Sequence, residues 1–271
     1  MAPWALVFSF IGSACEHVEK KPSHVLSAVD ERRTEANSHA AHDALALVFD
    51  QKLLVQTGPR QWHVRAPSMT EKGMCPDAAF AGQPHTSGCT AVLISPVTLL
   101  TTSSCARRHP CSNMGIIFGF DRDGKESDPR TPGVSQLASC LRIDERPQGL
   151  SIIWLKSAVS GRTPAQLGNI DVTSNPGFVD VLSHPSGIPA KRIRTKFLPA
   201  VIRDGQPALI DAAPAEVSPG AAVFGEDSRT LIGIVNSSQE SVISGEGCGQ
   251  WNGCLSPPCR ETVVTDFALD Q

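Results

Sequence analysis

The sequence predicts an all-β fold, an antiparallel sandwich or barrel, and two observations carry that reading. Apolar residues from Ala44 onward come in runs of strand length: Leu45-Ala-Leu-Val-Phe49, Ala91-Val-Leu-Ile94, Gly115-Ile-Ile-Phe118, Ser151-Ile-Ile-Trp-Leu155, Phe178-Val-Asp-Val-Leu182 and Leu231-Ile-Gly-Ile-Val235. Each is bounded by Gly, Pro, Ser or Asn, the residues that end strands and make turns. The 22 glycines and 21 prolines are spread along the chain rather than gathered in one linker, as joints between many short strands would be. Between the runs no helical periodicity lasts longer than a few turns, and no internal repeat is visible. A chain of 271 residues is long enough for one large β domain or two small ones.

Three segments follow in order. Ala5-Leu-Val-Phe-Ser-Phe-Ile-Gly-Ser-Ala14 is apolar, too short to span a bilayer, and followed by Cys15. Residues 1–15 resemble a bacterial lipoprotein leader in which Cys15 is lipidated, although no Lys or Arg precedes the apolar run and Gly12 stands where a leucine-like residue is usual. Residues 16–43, with Glu19-Lys-Lys-Pro-Ser23 and Asp30-Glu-Arg-Arg-Thr-Glu35, read as a polar tether able to carry a short helical turn. Residues 44–271 form the folded domain, closed by Glu261 to Leu269 as a strand or short helix. The expectation is an exported protein, periplasmic, held in the cell envelope through a lipidated Cys15, or secreted.

Charge points to no partner class. The net charge is -3 and charged residues are 19% of the chain, with no basic stripe for nucleic acid and no acidic tail. The nine cysteines contain no CxxC pair; with Cys15 set aside, the eight that remain are the even number a disulfide framework needs. Buried free thiols are the alternative, and a zinc site from Cys248, Cys254 and Cys259 a weaker one, since their spacings match no common ligand pattern. No metal and no cofactor is expected.

Three further stretches carry a resemblance. Cys89-Thr-Ala-Val-Leu-Ile-Ser-Pro96 leads into Leu99-Leu-Thr-Thr-Ser-Ser-Cys105; Gly149-Leu-Ser-Ile-Ile-Trp-Leu155 follows; then Val217-Ser-Pro-Gly-Ala-Ala-Val-Phe224 precedes Leu231-Ile-Gly-Ile234. The order and texture resemble the chymotrypsin-like serine proteases, in particular secreted bacterial members of the glutamyl-endopeptidase type, and His184-Pro-Ser-Gly-Ile-Pro189 resembles an H-P-S-G-L-P stretch of some of them. The resemblance covers roughly residues 44 to 268 and implies two six-stranded antiparallel β-barrels, with Cys89 and Cys105 paired in a disulfide.

The same resemblance places Ser104 at the catalytic histidine, Gly149 at the aspartate and Pro219 at the nucleophile, with Val217 and Pro219 at the oxyanion-loop positions. A serine hydroxyl is too weak a base, glycine has no side chain, and proline has neither hydroxyl nor N–H. Asp144 lies five residues before Gly149, too far along an extended chain at about 3.3 Å per residue to substitute without a rearranged loop. Ser218 as a shifted nucleophile is disfavoured by the proline after it; His109 reads as a solvated loop residue and His184 as a packed or hydrogen-bonded turn residue. The expectation is an inactive trypsin-like homologue that binds a peptide or protein partner through a retained cleft. The alternatives are an active serine hydrolase with relocated catalytic residues, and a structural envelope lipoprotein whose cleft is closed.

Overall fold

Runs of β-branched and large apolar residues between turn formers become strands, and a computed structural model describes residues 41–121, 129–168, 177–198, 208–213, 216–236, 242–244, 247–251 and 261–264. The first half contributes β1 (Leu45–Asp50), β2 (Leu54–Gly58), β3 (Gln61–Val64), β4 (Cys89–Ser95), β5 (Thr98–Thr102), the six-residue helix α1 (Ser103–Arg108), β6 (Met114–Phe118), β7 (Leu137–Glu145) and β8 (Leu150–Leu155). The second contributes β9 (Gln166–Leu167), β10 (Phe178–Ser183), β11 (Lys191–Leu198), β12 (Ala208–Ile210), β13 (Ala222–Phe224), β14 (Thr230–Val235), β15 (Val242–Ser244), β16 (Gly249–Trp251) and β17 (Glu261–Val264).

The hydrogen-bond ladders close twice. In the first barrel the order is β1-β4-β5-β8-β7-β6, and β6 returns to β1. In the second, β13-β10-β11-β12-β17-β14 closes through the β13–β14 pairing, while β9 adds to β14 as a short parallel strand. Closure removes the unpaired edges that an open sheet would expose. The architecture is that of two six-stranded antiparallel barrels.

Side-chain alternation divides the second barrel's residues between two cores. Val179 and Val181 of β10 and Ile232 and Val235 of β14 fill its interior with Ile193, Phe197, Ile210 and Val263. Leu182 of β10 and Leu231 and Ile234 of β14 instead join the first barrel's cluster, together with Ala222, Phe224 and Val264. One continuous apolar seam therefore fixes the barrels against each other. Residues 41–44 form a helical turn in which Ala41 and Ala44 pack into that cluster and His42 is buried, so the packed chain already includes residues 41–43, which the sequence assigned to the tether.

Between β1 and β4 the chain inserts the β2–β3 hairpin and the segment 65–88. Three disulfides are present among the described residues: Cys75–Cys248, Cys89–Cys105 and Cys111–Cys140. The zinc alternative loses Cys248 to a disulfide; Cys15, Cys254 and Cys259 lie outside the described residues. Among the described residues no helix is long and apolar enough to cross a membrane, and no group of three metal-ligating side chains converges.

One acidic residue is buried on the face of β10 opposite the second barrel's interior. Asp180 is 1% exposed and accepts from Arg192 Nη2 at 2.6 Å and Ser228 Oγ at 2.7 Å. Removing one partner of a buried pair strands the other, which typically costs about 3–5 kcal/mol, whereas an apolar replacement of both is close to neutral. Asp180→Ala is therefore expected to lower the urea midpoint sharply at unchanged m-value, and the Asp180→Leu/Arg192→Met double variant to recover most of the loss.

Candidate active-site seam

Ser104, Gly149 and Pro219, the positions the resemblance assigns to a triad, lie on separate elements, and their supports meet at the seam between the barrels. Thr102 of β5 pairs with Leu150 of β8, which brings the start of α1 beside the turn that ends at Gly149. Thr102 caps α1 by accepting from the Cys105 amide at 3.3 Å, and its hydroxyl lies 3.0 Å from Ser104 Oγ. Ser103 Oγ donates to the Leu150 carbonyl at 2.7 Å, locking helix to strand. The Cys89–Cys105 disulfide ties α1 to β4, with Cα atoms 5.9 Å apart.

From the other barrel, the Thr90 amide donates to the Pro219 carbonyl at 3.1 Å. The Gly220 amide donates to the Val235 carbonyl and the Val235 amide to Ala221, each at 2.9 Å. Asn236 comes next in the chain, and its Nδ2 would lie 3.4 Å from a Cβ built on Gly149. The contacts thus run in a ring: Pro219, Thr90, Thr101 to Ser104, Leu150 and Gly149, Asn236, Val235, Gly220. Ser104 and Gly149 are exposed and Pro219 is half-buried, so the ring faces solvent.

The chemistry of this ring is that of hydroxyls and spent amides. Ser218 is 2% exposed; its Oγ lies 2.7 Å from Thr90 Oγ1 and 3.1 Å from Ser183 Oγ, and among the described residues no imidazole is hydrogen-bonded to it. The loop amides all turn inward: Ser218 N–H to Ser183 Oγ, Gly220 N–H to Val235, Ala221 N–H to Ser218, while Pro219 has none. Val217 is buried. Asp144 is also engaged elsewhere, accepting from Trp154 Nε1 at 2.7 Å and pairing with Arg142, whose guanidinium sits 4.5 Å from the Trp154 ring.

The two histidines weighed from the sequence, His184 and His109, are both buried. His184 is 1% exposed, its amide donates to Thr90 Oγ1 at 2.8 Å and its Nδ1 is 3.1 Å from the Ile188 carbonyl. Burial pushes its pKa from 6.5 down to about 4; the Ile188 hydrogen bond and Asp121 oppose the shift, and Lys191 and His42 reinforce it. His109, expected in a solvated loop, is instead buried behind α1, and its pKa is lowered by burial and by Arg108 against the pull of Asp50. Thr90 and Asn236 do not stand out in the sequence. Each is an ordinary polar residue in or beside a recognisable strand motif, and only the fold gives it a role.

Two outcomes follow from this geometry. Gly220 has φ +86°, and a Cβ there would lie 1.9 Å from the Thr90 carbonyl and 2.5 Å from Thr101 Oγ1. Gly220→Ala is expected to cost on the order of 3 kcal/mol or more in urea unfolding, because backbone strain and backbone clash add. The second concerns pH. As pH falls below 6.5 the unfolded state protonates His184 first, while the folded protein resists until about 4. Stability is thus full above that window and is lost across it on acidification, by up to about 1.4 kcal/mol per pH unit per histidine. Urea titrations from pH 7 to 4 are expected to show this slope, and His184→Gln to reduce it by about one proton's worth.

Neither a protein-family model nor a curated protein matches the sequence. Solved structures do. Human heparin binding protein is 12% identical and is matched over 89% of this chain and 91% of its own, with a TM-score of 0.52. The Vibrio cholerae VesB protease is also 12% identical with a TM-score of 0.52; the match covers 89% of this chain and 65% of the VesB chain. Likeness at this identity speaks for the fold, and with the two closed barrels it establishes that the chain has the chymotrypsin-like fold of the trypsin-like serine proteases.

Proposed function

We propose that this chain is a catalytically inactive trypsin-like serine protease homologue, exported, which acts by binding a peptide or protein partner at the inter-barrel seam. The observation that carries the reading is the loop from Ser218 to Ala221, where every amide is spent inside the protein and Pro219 replaces a residue with an N–H. Acyl transfer needs a nucleophile, a base within hydrogen-bond reach, and N–H donors aimed at the developing oxyanion. Ser104, Gly149 and Pro219 supply none of these. In subtilisin, loss of the triad removes about 10⁶ in kcat, and what remains comes largely from the oxyanion hole and binding. Here that hole is compromised too.

The exposed seam supports a binding role. Extended peptides are held by main-chain pairing and side-chain pockets, neither of which requires a triad. Three disulfides suit an oxidising compartment, in keeping with export, and a lipidated Cys15 would tether the domain to a membrane.

The purified protein is expected to take no covalent label from a fluorophosphonate and to turn over no peptide or ester above background. Stoichiometric labelling at any serine would overturn the inactive reading and identify a nucleophile. For the binding half, immobilised protein should enrich peptides from a random library, and Ser104→Trp, which fills the seam at an exposed position, should abolish the enrichment. Equal enrichment by both proteins would move the binding surface elsewhere.

A further inference from the structure

The segment 65–88 is far longer than a turn joining two antiparallel neighbours needs, since β1 pairs directly with β4. It folds on itself: Met69 N–H bonds the Gln83 carbonyl at 3.0 Å, Thr70 N–H bonds Ala81 at 2.9 Å, and His85 N–H bonds Pro67 at 2.8 Å. The loop then reaches across to the second barrel and is fastened there at its tip and at its base.

At the tip, Cys75 is disulfide-bonded to Cys248, 173 residues away in sequence. Around it the Cys75 amide bonds the Gly249 carbonyl at 3.0 Å, the Gly249 amide bonds Gly73 at 2.7 Å, and Trp251 Nε1 bonds the Ala79 carbonyl at 2.7 Å. At the base, Thr86 Oγ1 and N both donate to the Gly187 carbonyl, at 2.9 and 3.2 Å. Buried Lys191 donates to Gln83 Oε1 at 2.8 Å and lies 4.6 Å from the Phe80 ring.

Two features mark this segment as held rather than relaxed. Five non-glycine residues among those described have positive φ, and three sit at this contact: Phe80 (+62°) and Ser87 (+55°) in the segment, Ser186 (+51°) in the turn it grips. Such conformations persist only where the surroundings over-determine them. The apolar contact is also small, with Met69, Met74, Ala81 and Ile188 buried and Ala78, Phe80 and Trp251 partly so. The covalent bond therefore carries much of the fastening.

We propose that residues 65–88 form a redox-released strap whose latch is the Cys75–Cys248 disulfide. A dithiol reductant attacks the half-buried Cys248 sulfur, expelling the Cys75 thiolate; its second thiol then displaces Cys248, and the reductant leaves as a cyclic disulfide with both cysteines as thiols. Release relaxes Phe80 and Ser87 and frees the segment up to Gly88, while Cys89 and Thr90 stay held in β4 by Cys105 and β1. Because Thr86 also fastens Gly187, release loosens the turn from His184 to Ile188, whose His184 amide shares the Thr90 hydroxyl with Ser218. This last consequence regulates partner binding and rests on the proposed function; the strap's release does not.

Hydrogen exchange on the full chain tests the strap without any ligand. In Cys75→Ala/Cys248→Ala, amides of 66–88 and 247–251 are expected to exchange about tenfold faster or more, with β5 and β8 unchanged. Equal exchange in the variant and the wild type would overturn the proposal, as would loss of protection in both barrels together with the strap. Stepwise dithiothreitol reduction of the unmodified chain, trapped by differential alkylation, gives the second measurement. Cys75 and Cys248 are expected to be alkylated while β5 and β8 remain protected; loss of barrel protection first would overturn the latch. A failed peptide capture with a positive exchange result would remove the proposed function and leave the strap standing.

Discussion

The structure depends on the way Thr90 is used. Its amide donates to Pro219, its carbonyl accepts from Thr101 Oγ1 at 2.6 Å, and its hydroxyl lies between Ser218 Oγ and the His184 amide. One residue of β4 thereby satisfies polar groups from β5, from the turn after β10 and from the loop before β13. Thr101, Ser218 and His184 among them are buried, where an unmade hydrogen bond costs more than a made one contributes. The demand is reciprocal: Gly220 has to be glycine because the Thr90 carbonyl occupies the space a Cβ would take. The apolar seam supplies most of the burial between the barrels, and the Thr90 contacts fix their register at one place.

That junction holds the barrels together without calling on catalytic side chains. A catalytic triad adds exposed or strained polar groups to a frame that does not need them for stability. At this seam, buried hydroxyls pair with one another: Ser103 with Ser151 at 3.0 Å, Ser218 with Ser183 and Thr90. His184 is buried in the same region with its Nδ1 on a backbone carbonyl and its pKa held near 4, a packing residue rather than a base.

The sequence makes the strands legible where burial is two-sided. Runs such as Ala91-Val-Leu-Ile94 and Leu231-Ile-Gly-Ile-Val235 lie inside β4 and β14, because residues facing the barrel interior and residues facing the seam are both apolar. Barrel closure is not legible in periodicity and comes from the resemblance. The β2–β3 hairpin and the two-residue β9 escape a sequence reading, since their polar, exposed faces carry little alternation. His109 misleads because flanking Arg107, Arg108 and Pro110 suggest solvent, whereas His109, at the C-terminal end of α1, is buried and these neighbours are exposed. The Cys75–Cys248 pairing cannot be chosen from spacing, as six cysteines beyond one assigned pair allow about 15 arrangements.

The backbone at the seam bears on the proposed inactive reading as much as the side chains do. Gly149 has φ +75° and follows Gln148 at φ +59°, so two successive residues of that turn are left-handed. An aspartate at 149 would have to occupy a conformation that costs a non-glycine residue about 1–3 kcal/mol, with its Cβ against Asn236. Pro219 fixes φ and removes the amide, while the amides on either side already have internal acceptors. Placing three side chains there would leave the carboxylate strained and the amides of Ser218, Gly220 and Ala221 still turned inward. On the proposed inactive reading, the hydrogen bonds that hold this loop are the same ones a catalytic loop would have to give up.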